Sequence, residues 1–167
     1  MAAHSAVANT PTAGTGRPAS MSQYLTFGLA GEQFAIPILA VQEIRGWEPI
    51  SRTPRAPAYV LGVMNLRGAI VPILDLRSRL GMESCERTST SVVIVVRVDT
   101  RATTGVTVGC LVDAVSDVVS LAVDMERPTP SACGGVDEHF LAGMATMDQQ
   151  LVMLLDLVRL VETSIAV

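Results

Sequence analysis

LGVMNLRGAIVPILDLRSRLG, residues 61–81, is the stretch whose reading decides the fold. Apolar residues crowd both sides of Arg67-Gly68: Val60, Leu61, Val63, Met64 and Leu66 before it, Ile70, Val71, Ile73 and Leu74 after it. Two short runs rich in β-branched residues, parted by a turn dipeptide, make the pattern of a buried β-hairpin. Pro72 lacks a backbone donor, so it is expected at an edge or bulge and not in mid-sheet. Asp75 stands where an N-cap would start a short helix over residues 76–80, which Gly81 closes. Arg67 is the anomaly, a charge set in an apolar hairpin.

Around this unit the composition supplies a large core. With 49% apolar and 17% charged residues in 167, the chain fits one domain or two small ones sharing an interior. Aromatics are scarce, and the abundant Val, Leu, Ile and Ala favour β structure. The net charge is −4 and the cations are scattered arginines, which argues against a nucleic-acid partner. No charge-free apolar run approaches the roughly 18 residues that span a bilayer, so direct membrane insertion is not expected. Residues 1–20 carry neither the basic start nor the hydrophobic block of a signal peptide. Cys85, Cys110 and Cys133 form no C-x-x-C pattern and read as reduced thiols, which points to the cytoplasm.

Upstream, residues 1–20 are a small-residue tail expected to be disordered, leaving residues 21–165 as the folded domain. Residues 23–29 and 34–36 read as two strand arms around Ala30-Gly31. Pro37 suits the first turn of a short helix carrying Leu39, Val41 and Ile44. A Pro- and Arg-rich loop with the only tryptophan, Trp47, follows it. Downstream of residue 81 comes a polar linker (82–91). Residues 92–98 are a strand so uniformly β-branched that both faces should be buried. Strands are expected at 106–112 and 115–121, then a Pro/Gly loop over 127–135. A last hairpin covers 141–147 and 151–155, with a helical turn over 156–161.

The chain also echoes itself. VPILDLRSRL (71–80) returns as VMLLDLVRL (152–160), Asp75 matching Asp156; LGVM (61–64) returns as LAGM (141–144), and AVQEI (40–44) as AVSDV (114–118). Two copies in the same order are too few for a solenoid and suggest a duplicated small β-barrel. The expected fold is mainly β: two intertwined five-stranded barrels packed around a shared core, with short helices.

Catalytic patterns are missing. No phosphate-loop, nucleophile-elbow or H-E-x-x-H spacing occurs. His139 reads as a surface polar residue of a loop, Asp113 and Asp117 as edge-strand solubility, and Asp75 and Asp156 as helix caps. No enzyme activity, cofactor or metal site is expected.

AVQEIRGWEPI, then LGVMNLRGAIVPILDLRSRLG, then GCLVDAVSDVVSL followed by RPTP, together resemble the CheW family of chemotaxis coupling proteins. The resemblance covers roughly residues 24–161 and implies SH3-like barrels and a non-catalytic scaffold adaptor. Its partners would be methyl-accepting chemoreceptor tips, the regulatory domain of the histidine kinase CheA, and further CheW-like proteins in rings. By the same resemblance Val41, Glu43, Gly62, Arg67 and Val118 would form the receptor-binding groove, and Arg127 and Pro128 a kinase contact. An aromatic residue common in the family after the second proline is replaced here by the neighbourhood of Ala132 and Cys133. Glu43 and Arg67 are expected to face each other, where a carboxylate and a guanidinium can make a bidentate contact. Two other classes remain open: a CheV-like coupling protein without its receiver domain, and a small-molecule-binding or otherwise regulatory β-barrel.

Overall fold

A computed structural model describes residues 21–83, 86–122 and 135–165. The expected tail, Cys85, Cys133, Arg127 and Pro128 lie outside the described residues. In chain order the strands are β1 (Ser22–Leu29), β2 (Glu32–Pro37), β3 (Val41–Gly46), β4 (Val60–Leu66), β5 (Ala69–Asp75), β6 (Val92–Val98), β7 (Val106–Val112), β8 (Ala114–Leu121), β9 (Leu141–Met147) and β10 (Gln150–Leu155). Helix α1 (Leu76–Arg79) follows β5, and α2 (Leu157–Ile165) follows β10.

The strands form two five-stranded sheets, ordered β3-β6-β7-β5-β4 and β8-β1-β2-β10-β9. We call the first sheet with α1 the first lobe, and the other with α2 the second. The first lobe is one stretch of chain, β3 through β7, whereas the second gathers β1 and β2 from before it and β8, β9 and β10 from after it. The β1–β2 hairpin pairs with β8 and β10, while the β6–β7 hairpin pairs with β3 and β5. The two halves of the sequence thus exchange hairpins, and the joining contacts, β2 with β10 and β5 with β7, are parallel. The expected mainly β fold of two intertwined five-stranded units is what forms.

The exchange sets the core between the lobes. Phe27, Phe34 and Ile36 of the first hairpin meet Leu74, Ile94, Val96 and Cys110 of the first lobe and Phe140, Met153 and Leu160 of the second. Each such buried side chain contributes about 1.5–3 kcal/mol, so lobes pulled apart would each forfeit much of their stabilisation. Strand β6 serves two layers. Ile94 and Val96 enter the shared core, while Val93 and Val95 enter a smaller cluster with Met64, Val71 and Ile73. Its uniform β-branched sequence follows from that double burial. The second lobe has the matching cluster, Ala35, Leu121, Ala145, Val152 and Leu154.

Local chemistry explains the turns. The hairpins pivot on Ala30-Gly31 (φ 50° and 81°), Arg67-Gly68 (51° and 88°) and Asp148-Gln149 (48° and 64°). Two successive positive φ values make the tight turn that matches strand twist. Asp75 Oδ1 accepts the Arg77 N–H at 3.1 Å, and Asp156 Oδ1 accepts that of Arg159 at 3.1 Å, so both repeated aspartates are caps. Gly81 (φ 78°) ends α1, with the Met82 N–H on the Arg77 carbonyl at 2.8 Å.

Four expectations need correction. Residues 37–44 are not a helix: only Ile38–Ala40 makes a 3-10 turn, and Val41 onward is β3. Leu39, 97% exposed, shows that the helix-like spacing had no apolar face behind it. Pro72 lies on β5, a strand flanked on both sides, but ahead of the parallel ladder that starts at Ile73, so its missing N–H costs no bond. Asp113, expected as edge-strand solubility, instead precedes β8 and pairs with Arg77. The echo is offset by one residue: Gly62 opposes Ile73 as Gly143 opposes Leu154, so residues 61–64 match 142–145. Each of these strands bulges at that point, at Leu61 and at Ala142, which hides the register from sequence.

Candidate functional site

Strand β3 is the edge of the first lobe, and a bulge in it decides which side chains meet. Val41 opposes Val96, but Glu43 opposes Val95, so the extra residue Gln42 turns Val41 and Glu43 to opposite faces. Val41 packs on the shared core. Glu43 faces outward, where its Oε2 accepts from Arg67 Nη2 at 3.2 Å. Its Oε1 stands 3.7 Å from Arg45 Nη1, and Arg45 Nη2 stands 3.9 Å from Glu48 Oε1. The result is an alternating ladder, Glu48–Arg45–Glu43–Arg67, from the loop after β3 to the tip of the β4–β5 hairpin. The Glu43–Arg67 contact is single and not bidentate, because the second carboxylate oxygen turns to Arg45.

With Ile44 and Asn65 these charges line a shallow, open depression of about 590 Å³. Exposed pairs of this kind contribute about 0–1 kcal/mol each, so the ladder is not what holds the fold. Arg67 even works against it. A non-glycine residue at φ 51° is strained by about 1–2 kcal/mol, and the preferred residue there is Asn. Gly68 accepts the strain freely and its N–H bonds Asn65 Oδ1 at 2.9 Å. The Arg67 side chain is 85% exposed. Ile70, just past the turn, and Ile44 add exposed apolar surface.

The remaining expected residues lie elsewhere. Gly62 is buried, and a Cβ there would stand 2.1 Å from the Ser51 carbonyl oxygen. That carbonyl accepts the Val63 N–H at 2.9 Å, so Gly62 allows the loop after β3 to be pinned onto β4. Val118 is exposed on β8, in the second lobe, where register makes it the counterpart of Ile44. Glu43 and Arg67 therefore meet, while Val41, Gly62 and Val118 do not join them. Arg45 and Asn65 were missed. The signal was the two-residue spacing of Glu43 and Arg45, which puts both on one side of a strand but not of a helix.

Other polar groups have structural partners. Arg77 grips Asp113, with Nε donating to Oδ1 at 2.8 Å and Nη2 to Oδ2, and the Ala30 N–H donates to Oδ2 at 2.9 Å. Burial alone would raise the Asp113 carboxyl, but Arg77 and the Ala30 amide outweigh it and hold it below the ordinary carboxylate value. Cys110 is buried, which pushes its thiol up to about 12. His139 is exposed, its ring edge-on to Phe140. Among the described residues no cluster of His, Cys, Asp and Glu could hold a metal, and no helix is long and apolar enough to cross a membrane.

Comparison with known proteins matches residues 23–164 to the CheW-like domain model. The chain is 41% identical over 135 residues to the chemotaxis protein CheW of Rhizobium meliloti, covering 81% of this chain and 84% of the relative. It is 36% identical over 141 residues to that of Klebsiella aerogenes, covering 84% and 82%. The crystal structure of the scaffolding protein TtCheW from Thermoanaerobacter tengcongensis superposes with a TM-score of 0.73 at 26% identity, over 84% of this chain and 92% of that one.

Proposed function

The chain belongs to the CheW-like family of chemotaxis proteins, and from that premise we propose that it is a non-catalytic adaptor coupling chemoreceptor tips to the histidine kinase CheA in cytoplasmic arrays. The observation that carries the reading is Arg67: a strained turn residue, 85% exposed, presenting a guanidinium tied to Glu43 by one contact only. Its free donors suit a carboxylate or carbonyl cluster on a helical receptor tip, and Ile44 and Ile70 offer apolar surface around it. The first lobe's outer face is then the receptor side. Val41, Gly62 and Val118 support that surface or lie on a separate one. The kinase contact falls to Arg127 and Pro128.

Arg67→Asn is the decisive variant, since Asn suits the turn and folding should be kept or slightly improved. An arginine at the centre of an interface is a hot spot of about 2 kcal/mol or more, so binding to a purified receptor-tip fragment should weaken roughly thirtyfold. Association with the kinase regulatory domain should be unchanged by Arg67→Asn and weakened by Arg127→Ala. Unaltered receptor binding by a well-folded Arg67→Asn protein would remove the assignment.

A further inference from the structure

The loop over residues 47–58 leaves a cleft that the ladder of charges does not use. It measures about 530 Å³, within the roughly 300–1,000 Å³ of small-molecule sites, and is lined by Trp47, Ile50, Arg52, Val60, Leu61 and Arg87 among others. Its floor is apolar, with Ile50 and Leu61 packed on the first lobe's own cluster. Among the described residues Arg52 and Arg87 are its only charged lining groups, and no carboxylate among them lines it. Neither is in an ion pair among the described residues.

Arg87 is held in a particular way. Its guanidinium carbon lies 4.2 Å from the centroid of the Trp47 ring. Stacking uses the faces of the guanidinium plane and leaves the in-plane N–H donors open to an oxyanion. Two unmatched cations in one cleft also concentrate positive potential there.

The walls are fixed before any ligand arrives. The Val63 N–H holds the Ser51 carbonyl at 2.9 Å, and the Val60 N–H holds that of Pro57 at 2.9 Å. Pro49, Pro54 and Pro57 restrict the loop further. A preformed cleft saves the ordering cost that a floppy loop would impose on binding.

We propose that this cleft is a binding site for a free organic anion, a compact apolar ring bearing one carboxylate or phosphate. Arg52 and Arg87 take the oxyanion, and Ile50, Val60 and Leu61 receive the ring. Trp47 is the chain's one tryptophan, so its fluorescence reports on the cleft alone.

The test titrates the full chain with cyclohexanecarboxylate and with phenyl phosphate, read by Trp47 emission and by calorimetry. Saturable binding with Kd below about 1 mM is expected for both. Neutral cyclohexanemethanol and inorganic phosphate should each bind at least about tenfold more weakly, since each lacks one half of the recognition. Arg52→Gln leaves the Trp47 stack untouched and should cost about tenfold, as should Arg87→Lys, which keeps the charge but loses the fork. Arg101→Ala, which does not line the cleft, should change nothing. No saturation by about 10 mM, equal binding of the neutral analogue, or indifference to both cleft variants in folded protein would each overturn the proposal. So would tighter binding by an acetylated Leu-Asp-Leu peptide than by either ring acid, which would make the cleft a peptide site.

Discussion

The two lobes are one design executed twice, with different fillings. Strand order, parallel junction and bulge recur in both: Val41 and Glu43 straddle a bulge against Val96 and Val95, as Val115 and Val118 flank one against Phe27 and Leu25. What differs is chemistry at matched positions. Ala35 of the second lobe corresponds to Gly109 of the first, each opposite the equivalent residue of the neighbouring parallel strand. Val95 corresponds to Thr26, whose buried hydroxyl bonds both the carbonyl (3.0 Å) and the N–H (3.1 Å) of Asp117 across the bulge. The Arg77–Asp113 pair matches Val158 and Leu39, two exposed apolar residues. The second lobe's only arginine among the described residues is Arg159, whereas the first carries Arg45, Arg52, Arg67 and Arg87 on its surface. A repeated backbone thus leaves each lobe free to present a different face, and only the first presents an exposed guanidinium at its hairpin turn.

Matched positions also say where one lobe will refuse what the other accepts. The largest expected effect is Gly109→Ala. A Cβ there would stand 2.4 Å from Ile73 Cδ1 and 2.8 Å from Val93 Cγ1, whereas the second lobe already holds Ala35. Overpacking should cost about 1–3 kcal/mol. Ala35→Gly should cost only about 0.5–1 kcal/mol, mainly through backbone entropy. Urea melts of the two variants check the contrast, and equal losses would break the equivalence.

Next comes Thr26→Val, which makes the second lobe's bulge resemble the first. Two backbone groups of Asp117 lose their partner, at about 1–3 kcal/mol in urea unfolding. A neutral result would mean that the bulge geometry satisfies itself in both lobes.

The smallest effect is confined to acid. Because the folded state holds Asp113 below its unfolded pKa, the unfolded chain takes up the proton first as pH falls. The stabilisation is complete above about pH 4 and drains away below it. Asp113→Asn should lower stability at pH 7 and flatten the acid limb of the melting curve. A variant with an unchanged acid limb would show that the Arg77 contact does not discriminate the folded state.

Much of this was legible along the chain, for reasons that are local. The turn dipeptides, the paired Asp75 and Asp156 caps and the doubly buried β6 all follow from residues within a few positions of one another. The Glu43–Arg67 meeting was also foreseen. What stayed hidden depends on bulges and distant pairing. The bulge at Gln42 made a strand look helical and concealed Arg45, and the bulges at Leu61 and Ala142 shifted the repeat by one. No local pattern announces that β2 will lie parallel to β10.

That last pairing governs how the protein can be made. Phe34 lies beside Met153 on neighbouring strands, near opposite ends of the described chain. As the chain emerges from the ribosome, β1 and β2 appear first and must wait for β8 and β10. The first lobe, by contrast, is complete once β7 is out. Synthesis therefore passes through a stage with one lobe closed and a stranded hairpin of Phe27, Phe34 and Ile36 still seeking its sheet. Non-local pairing of this kind is slow and leaves strand edges open to other chains. The nascent protein is most prone to aggregate in that interval, and the pairing of β10 with β2 is what ends it.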